Sequence, residues 1–299
     1  MTESRKTGHL LTEKINPRTT HLDTCSPLET VELIIQEDRE IVGAIEKVKN
    51  NIAEAVEHIT GKLKKGGRLF FIGAGTSGRL GVIEASECPP TFGTDPKLIQ
   101  AFIAGGREAV WQSIEGAEDS RTESKEFLTK SELTNDDAVV GIAASASTPF
   151  VESGLEYAKE IGSTTVHITC NKVSSTIADV TIELLVGPEV LVGSTRMKAG
   201  TVTKMVLNMI TTASMVQLGK TYGNLMVDVQ PKSAKLKDRA KRIVMNIAQV
   251  DERKASDLLK ASNWDVKASV VMAVKELNFK DSKNLLKTHR GFLRDALNK

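Results

Sequence analysis

Aromatic residues are scarce in this 299-residue chain, at 4%. Surfaces that stack on unpaired bases are built from such side chains, so their scarcity argues against a single-stranded nucleic-acid binder. An excess of one charge is also missing. Forty Lys and Arg face 38 Asp and Glu, a net charge of +2 spread along the chain, which is not a nucleic-acid footprint. Only the stretch with Lys232, Lys235, Lys237, Arg239, Lys241 and Arg242 is visibly basic, and it reads as a solvated helix face rather than a polyanion contact. The three cysteines, Cys25, Cys88 and Cys170, are far apart and odd in number, which fits a reducing cytoplasm better than a disulfide framework. His9, His21, His58, His167 and His289 show no metal-ligand spacing, so no metal is expected. No apolar run is long enough to span a bilayer and the N-terminus lacks a signal-peptide core, so neither a membrane nor export is expected.

What is there is alternation. Residues 1 to about 27 are polar and read as an extended arm. From Thr30 to Lys65 apolar residues recur at helical spacing, which predicts one or two long helices ending near Gly66-Gly67. Short aliphatic runs then follow at 68–72, 98–103, 138–143, 164–169 and 180–185, most of them separated by helical stretches. Continuous apolar runs of this length are strands covered on both faces, hence a parallel sheet of five strands. The fold class is α/β, doubly wound, in which ligands bind at the carboxyl ends of the strands. A long helix is predicted over 196–219, with methionines that pack a core or a dimer contact. Shorter amphipathic helices follow Pro231. Around Trp264 they resemble a small ubiquitin-associated-like three-helix bundle. The expected division is an arm and helix over 1–53, a sheet domain over 54–217 and a helical C-terminal region over 218–299.

The stretch from Phe71 to Gly81 carries the most information. It reads as a buried strand, a loop of glycines and hydroxyls, and a helix start. Glycines let backbone approach a phosphate closely, and a helix N-terminus supplies free N–H groups and a positive dipole end. Gly73, Gly75 and Gly78 match G-x-G-x-x-G, but the second strand runs into Ala104-Gly105-Gly106 with no acid to hold a ribose. A dinucleotide is therefore disfavoured. Thr76 and Ser77 instead offer hydroxyls to phosphate oxygens. A strand–helix turn without a ligand is the plainer alternative.

A second hydroxyl-rich loop, Ser145-Ala146-Ser147-Thr148-Pro149, follows the third predicted strand. Thr148 suits an N-cap and Pro149 a first helical position, so ordinary capping explains it as well as ligand binding does. Glu84 and Glu87 follow the first strand beside a Cys-Pro-Pro helix stop. Glu115, Glu118 and Asp119 follow the second strand. Two carboxylates beside a phosphate site can divide acid and base work, although acids at a solvated helix start are equally ordinary. Cys88, with no histidine nearby in sequence, reads as a buried inert thiol.

Five stretches together carry a resemblance: Gly73–Gly81 (GAGTSGRLG), 85–92 (ASECPPTF), 115–119 (EGAED), 193–201 (GSTRMKAGT) and 223–228 (GNLMVD). The chain resembles the N-acetylmuramic acid 6-phosphate etherase family over nearly its whole length. That family contains a sugar isomerase (SIS) domain and is related to the glucokinase regulator. The resemblance implies a cytoplasmic homodimeric lyase of cell-wall sugar recycling, without cofactor. Its substrate is a small phosphosugar, whose D-lactyl ether is cleaved to N-acetylglucosamine 6-phosphate and D-lactate. It places the catalytic pair on Glu87 and Glu118. Glu87 is read as the acid on the ether oxygen and Glu118 as the base at carbon 2; the resemblance carries the pair rather than the order of roles. Gly75, Thr76, Ser77, Glu115, Ser145, Ser147 and Thr148 are the expected substrate-binding residues.

One departure stands out. The family pattern in the second loop is Ser-Gly, then Arg or Lys, then Thr-Pro; here the loop has no basic residue. Lower affinity or altered preference is expected if that residue touches ligand. The competing reading is a non-catalytic phosphosugar-binding regulator. A third is an aldose–ketose isomerase, which would release no lactate.

Overall fold

The computed structural model describes residues 8–231 and 233–298; the first seven residues of the expected arm and Lys232 of the basic run lie outside them. The chain forms two compact units, Met1–Ala85 with Lys97–Thr211 and Ser86–Pro96 with Thr212–Lys299.

In the first unit the arm makes 3-10 turns at Leu11–Glu13 and Leu22–Thr24. Helix α1 (Pro27–Asp38) starts with a capping box. Ser26 accepts from the Glu29 N–H, and the Glu29 side chain accepts from the Ser26 N–H, with Pro27 at the first position. The helical spacing after Thr30 resolves into three helices, α1, α2 (Glu40–Lys47) and α3 (Lys49–Lys64), rather than one or two. The breaks fall at Arg39 and at Val48, whose ψ of 13° leaves the helix. Neither is a glycine or proline, so nothing local marks them. After α3, Gly66 takes φ +91° and the N–H of Gly67 returns to the Lys62 carbonyl, a glycine-terminated helix end.

Five strands follow: β1 (Leu69–Gly73), β2 (Ile99–Ile103), β3 (Ala138–Ile142), β4 (Thr164–Thr169) and β5 (Val180–Glu183). All pair in parallel, in the order β2-β1-β3-β4-β5. Every residue of β1, β3 and β4 is buried, while the edge strands β2 and β5 are partly exposed. That is why the central strands read as unbroken apolar runs.

Helices α5 (Glu123–Lys130) and α6 (Pro149–Ile161) cover one face, where Phe70, Ile72 and Val139 join Leu128, Val151 and Leu155 in one core. Helix α4 (Gly75–Phe92) begins on the other face, its Gly81 against Phe71 and Ile142. Arg68 and Asp137 tie the amino ends of β1 and β3 through two side-chain bonds of 3.1 and 2.8 Å. Although burial opposes it, Arg68 and neighbouring amides hold the Asp137 carboxyl below its ordinary range.

Helix α4 does not stop at Cys88-Pro89-Pro90; it runs to Phe92 with both prolines inside. Each proline removes one helical N–H bond. The last turn still closes, because the Gly93 N–H donates to the Pro89 carbonyl at 3.0 Å and Gly93 then leaves with φ +63°.

The second unit holds the ends of α4 and of α7 (Lys198–Gln217), followed by α8 (Ala234–Ala248), α9 (Glu252–Ala261), α10 (Val266–Lys275), α11 (Phe279–Thr288) and α12 (Leu293–Asn298). Ser233, Asp251, Asp265 and Asn278 each cap a helix by accepting from the N–H three residues on. The apolar stripes of α8–α11 meet in one core around Val244, Leu259 and Val271. Asp228, which ends the 223–228 stretch, binds Lys267 at 2.8 Å and Lys220 at 3.1 Å. On α8, Lys241 pairs with Glu252 and Arg242 with Asp238.

Candidate functional site

The glycines after β1 have separate tasks. A Cβ on Gly73 would sit 2.8 Å from the Gly78 nitrogen, and one on Gly78 would sit 2.6 Å from the Gly73 carbonyl oxygen and from Ile103 Cγ1. Strand and helix therefore touch backbone to backbone. Gly75 takes φ +53°, which turns the chain into α4 at once. The first amides of α4, which have no partners within the helix, then stand at the carboxyl end of β1.

Here the first unit forms a cleft of about 300 Å³. Ala74, Gly75, Thr76 and Ser77 line it from the first loop, and Ala143, Ala144, Ser145 and Thr148 from the loop after β3. Ile142, Ser113, Glu118, Glu13 and Thr195 complete the wall. The cleft lies where β1 passes to β2 on one side and β3 begins on the other, the switch point at which such sheets bind ligands. Glu118 comes from a 3-10 turn, Ala117–Asp119, set by Gly116 at φ +74°.

The second loop is strained. Ala146 takes φ +70°, a left-handed conformation that side chains resist, and its N–H donates to the Ala143 carbonyl at 3.0 Å. Thr148 stands at the N-cap of α6 but makes no side-chain bond to the helix. Its hydroxyl lies 3.3 Å from Ser145 Oγ. Ordinary capping therefore does not account for it. Ser147 lines a neighbouring cavity instead, with His167 and Lys172. Burial pushes the His167 imidazole down to about 4 and the Cys170 thiol up to about 12, so neither is charged at neutral pH.

The arm reaches the cleft through Asn171, just past β4. Its Nδ2 donates to Thr12 Oγ1 at 3.0 Å and to the Ala144 carbonyl at 2.8 Å, joining arm and second loop. Thr19 Oγ1 donates to the Val190 carbonyl at 2.8 Å. Glu13 then sits beside Gly193, whose absent side chain leaves room for the carboxylate. The start of α7 is held from below the stretch 193–201. Glu189 accepts from the N–H groups of Lys198 and Ala199 at 3.0 and 2.8 Å. Burial pushes its carboxyl above the ordinary value, against those two amides.

The likeness to known proteins now bears on this cleft. The family described as glucokinase regulatory protein N-terminal SIS domain matches residues 51–159, which include both loops. An N-acetylmuramic acid 6-phosphate etherase of Geobacillus thermodenitrificans (strain NG80-2) is 48% identical over 97% of this chain and 99% of its own. One from Vibrio campbellii (strain ATCC BAA-1116) is 49% identical over 97% and 95%. One from Gloeothece citriformis (strain PCC 7424) is 48% identical over 100% and 98%. The chain belongs to the N-acetylmuramic acid 6-phosphate etherase family.

Of the residues the etherase resemblance singled out, the cleft gathers Gly75, Thr76, Ser77, Glu118, Ser145 and Thr148. Glu115 is exposed and Ser147 lines the adjoining cavity. Glu87 is exposed on α4, in the Ser86–Pro96 segment of the second unit. Glu84, one turn earlier, is buried and accepts from Asn208 and Thr211 of α7, so it is a structural carboxylate. Cys88 is buried, as expected. Three lining residues went unnoticed in the sequence. Thr195 lies within an etherase motif, which was the signal for it. Glu13 and Ser113 have no local signal.

Proposed function

We propose that this chain cleaves the D-lactyl ether of N-acetylmuramic acid 6-phosphate, giving N-acetylglucosamine 6-phosphate and D-lactate. The observation that carries the reading is full-length likeness to etherases together with a switch-point cleft that joins two hydroxyl loops to Glu118.

The chemistry follows from the sugar. In its open-chain form the proton on carbon 2 is acidified by the adjacent aldehyde, and a carboxylate can remove it. We assign that step to Glu118. The lactate oxygen leaves from carbon 3 with a proton, which we assign to Glu87, because an alkoxide is a poor leaving group. Water then adds at carbon 3 of the unsaturated aldehyde. Each positioned proton transfer contributes about 100- to 10,000-fold. Thr76, Ser77, Ser145, Ser147 and Thr148, with the amides that open α4, hold phosphate and sugar, so binding at a remote group orients the reacting carbons. Glu115 is assigned to the sugar.

The enzyme is proposed to work as a cytoplasmic homodimer. Cys25, Cys88 and Cys170, none of them in a disulfide among the described residues, support the reducing compartment. An exposed stripe of Leu28, Val31 and Ile35 on α1 supports a partner subunit. The regulator reading has less support, since the regulator-type match covers residues 51–159 alone.

Turnover in ¹⁸O-labelled water tests the reaction. Elimination followed by water addition puts the label on carbon 3 of the sugar and none in lactate. Label in the lactate, or no lactate at all, would overturn it.

A further inference from the structure

Elimination of lactate needs the open-chain aldehyde, whereas such a sugar rests in water as a closed ring. The ring must open before carbon 2 is acidified. Opening takes a proton from O1 and delivers one to O5. Glu118 at carbon 2 and Glu87 at the ether oxygen have other tasks.

Glu13 is placed for this one. It ends the 3-10 turn Leu11–Glu13, and it and Glu118 are the two carboxylates among the residues that line the cleft. At about 300 Å³ the cleft has room for one small ligand, which would lie within the same walls as both. Among the described residues no hydrogen bond or ion pair engages the Glu13 carboxylate. Glu37, Glu84 and Glu189 of the same unit are instead held by Lys198, by Thr211 and by the first amides of α7.

Distant contacts on both sides fix Glu13. Asn171 Oδ1 accepts from the Leu11 N–H, and the Thr12 carbonyl accepts from the Gly193 N–H at 3.3 Å. Asn16 Nδ2 donates to the Pro188 carbonyl at 3.4 Å. Gly193 takes φ +74°, and a Cβ there would stand 3.2 Å from Glu13 Oε2. An acid on a loose arm would swing away from an anionic ligand; this one is held in the wall, as a general base must be.

We propose that Glu13 is a catalytic residue that opens the sugar ring. The proposal rests on the etherase reading above. The carboxylate takes the proton of the carbon 1 hydroxyl. The O–H pair becomes the second bond of the aldehyde, the bond from carbon 1 to O5 breaks with its electrons on O5, and O5 receives the same proton from Glu13. Nothing is consumed, and Glu13 returns as a carboxylate.

The test compares wild type, Glu13→Gln, Glu13→Asp and Glu118→Gln as full-length protein. Glutamine keeps the shape of Glu13, and the arm is tied through Leu11, Thr12 and Asn16, so the fold is expected intact. The α- and β-anomers of N-acetylglucosamine 6-phosphate are exchanged through the open chain, and NMR follows that exchange with each protein. Wild type and Glu118→Gln should both speed it. Glu13→Gln should leave it at the rate without enzyme, while binding the sugar as wild type does by calorimetry. Its lactate release should fall about 100-fold or more. Glu13→Asp, which keeps a carboxylate, should recover part of both. Wild-type exchange in Glu13→Gln, exchange catalysed by no form, or loss of sugar binding in Glu13→Gln would each overturn the role. Absence of lactate from wild type would sink the etherase reading, and the anomer exchange would still decide Glu13.

Discussion

Lys198 Nζ donates to Glu37 Oε2 at 2.7 Å, and both side chains are only 1% exposed. Arg18 binds the other Glu37 oxygen. The pair joins α1 to the start of α7, next to the stretch that carries Thr195 into the cleft. Removing Lys198 would leave the buried Glu37 carboxylate with Arg18 and without one charge-assisted hydrogen bond. Lys198→Met is therefore expected to destabilise the protein by about 2 kcal/mol, read from chemical denaturation.

The same pair sets an acid limit. Burial raises the Glu37 carboxyl, but Arg18 and Lys198 outweigh it and hold it at about 2, below its ordinary 4.5. A carboxyl depressed on folding gives stability that is complete above the unfolded value and is lost as pH falls toward the folded one. The contribution of Glu37 should thus fade between about pH 4.5 and 2. Glu37→Gln should flatten that part of the stability curve, and an unchanged slope there would contradict the assignment.

Ala146 holds φ +70° without being glycine. Left-handed backbone costs an ordinary residue about 1–2 kcal/mol, while glycine brings an entropic penalty of about 0.5–1 kcal/mol. Ala146→Gly should stabilise the protein by the difference, about 0.5–1 kcal/mol in denaturant titration.

Gly78→Ala should act in the opposite direction. The added carbon would meet the Gly73 carbonyl oxygen and Ile103 Cγ1 at 2.6 Å. Overpacking of this kind costs about 1–3 kcal/mol, and it would push α4 off β1 and loosen the first loop. Both a lower denaturation midpoint and a raised KM are expected.

Glu84 and Glu118 should separate by assay. Glu84 is buried against Asn208 and Thr211, whereas Glu118 lines the cleft. Glu84→Gln should lower stability by about 1–3 kcal/mol and leave kcat largely intact in the folded fraction. Glu118→Gln should do the reverse.

The sheet was legible because its central strands are buried on both faces. Phe70 and Phe71 point to opposite sides and are both fully covered, so the sequence around β1 shows an apolar run rather than alternation. The breaks at Arg39 and Val48 were not legible, since helical spacing continues through both and no glycine or proline marks them. The run of α4 through Pro89 and Pro90 is not legible either, because local propensity makes two prolines a stop and says nothing of the Gly93 amide that closes the turn. In the cleft, Thr76, Ser77 and Ser145 were readable from strand–loop–helix order. Glu13 was not, because its position is set by distant contacts, such as Thr12 with Asn171 and the amide of Gly193 with Thr12. Ser147 faces a different cavity from Ser145 and Thr148, beside the left-handed turn at Ala146, which sequence alone does not reveal.

The most direct measurement is lactate release from N-acetylmuramic acid 6-phosphate by wild type and Glu118→Gln, with substrate binding to each measured alongside. The account predicts steady release by wild type and a loss of about 100-fold or more in the variant, with binding retained. A variant that binds and turns over like wild type would contradict it.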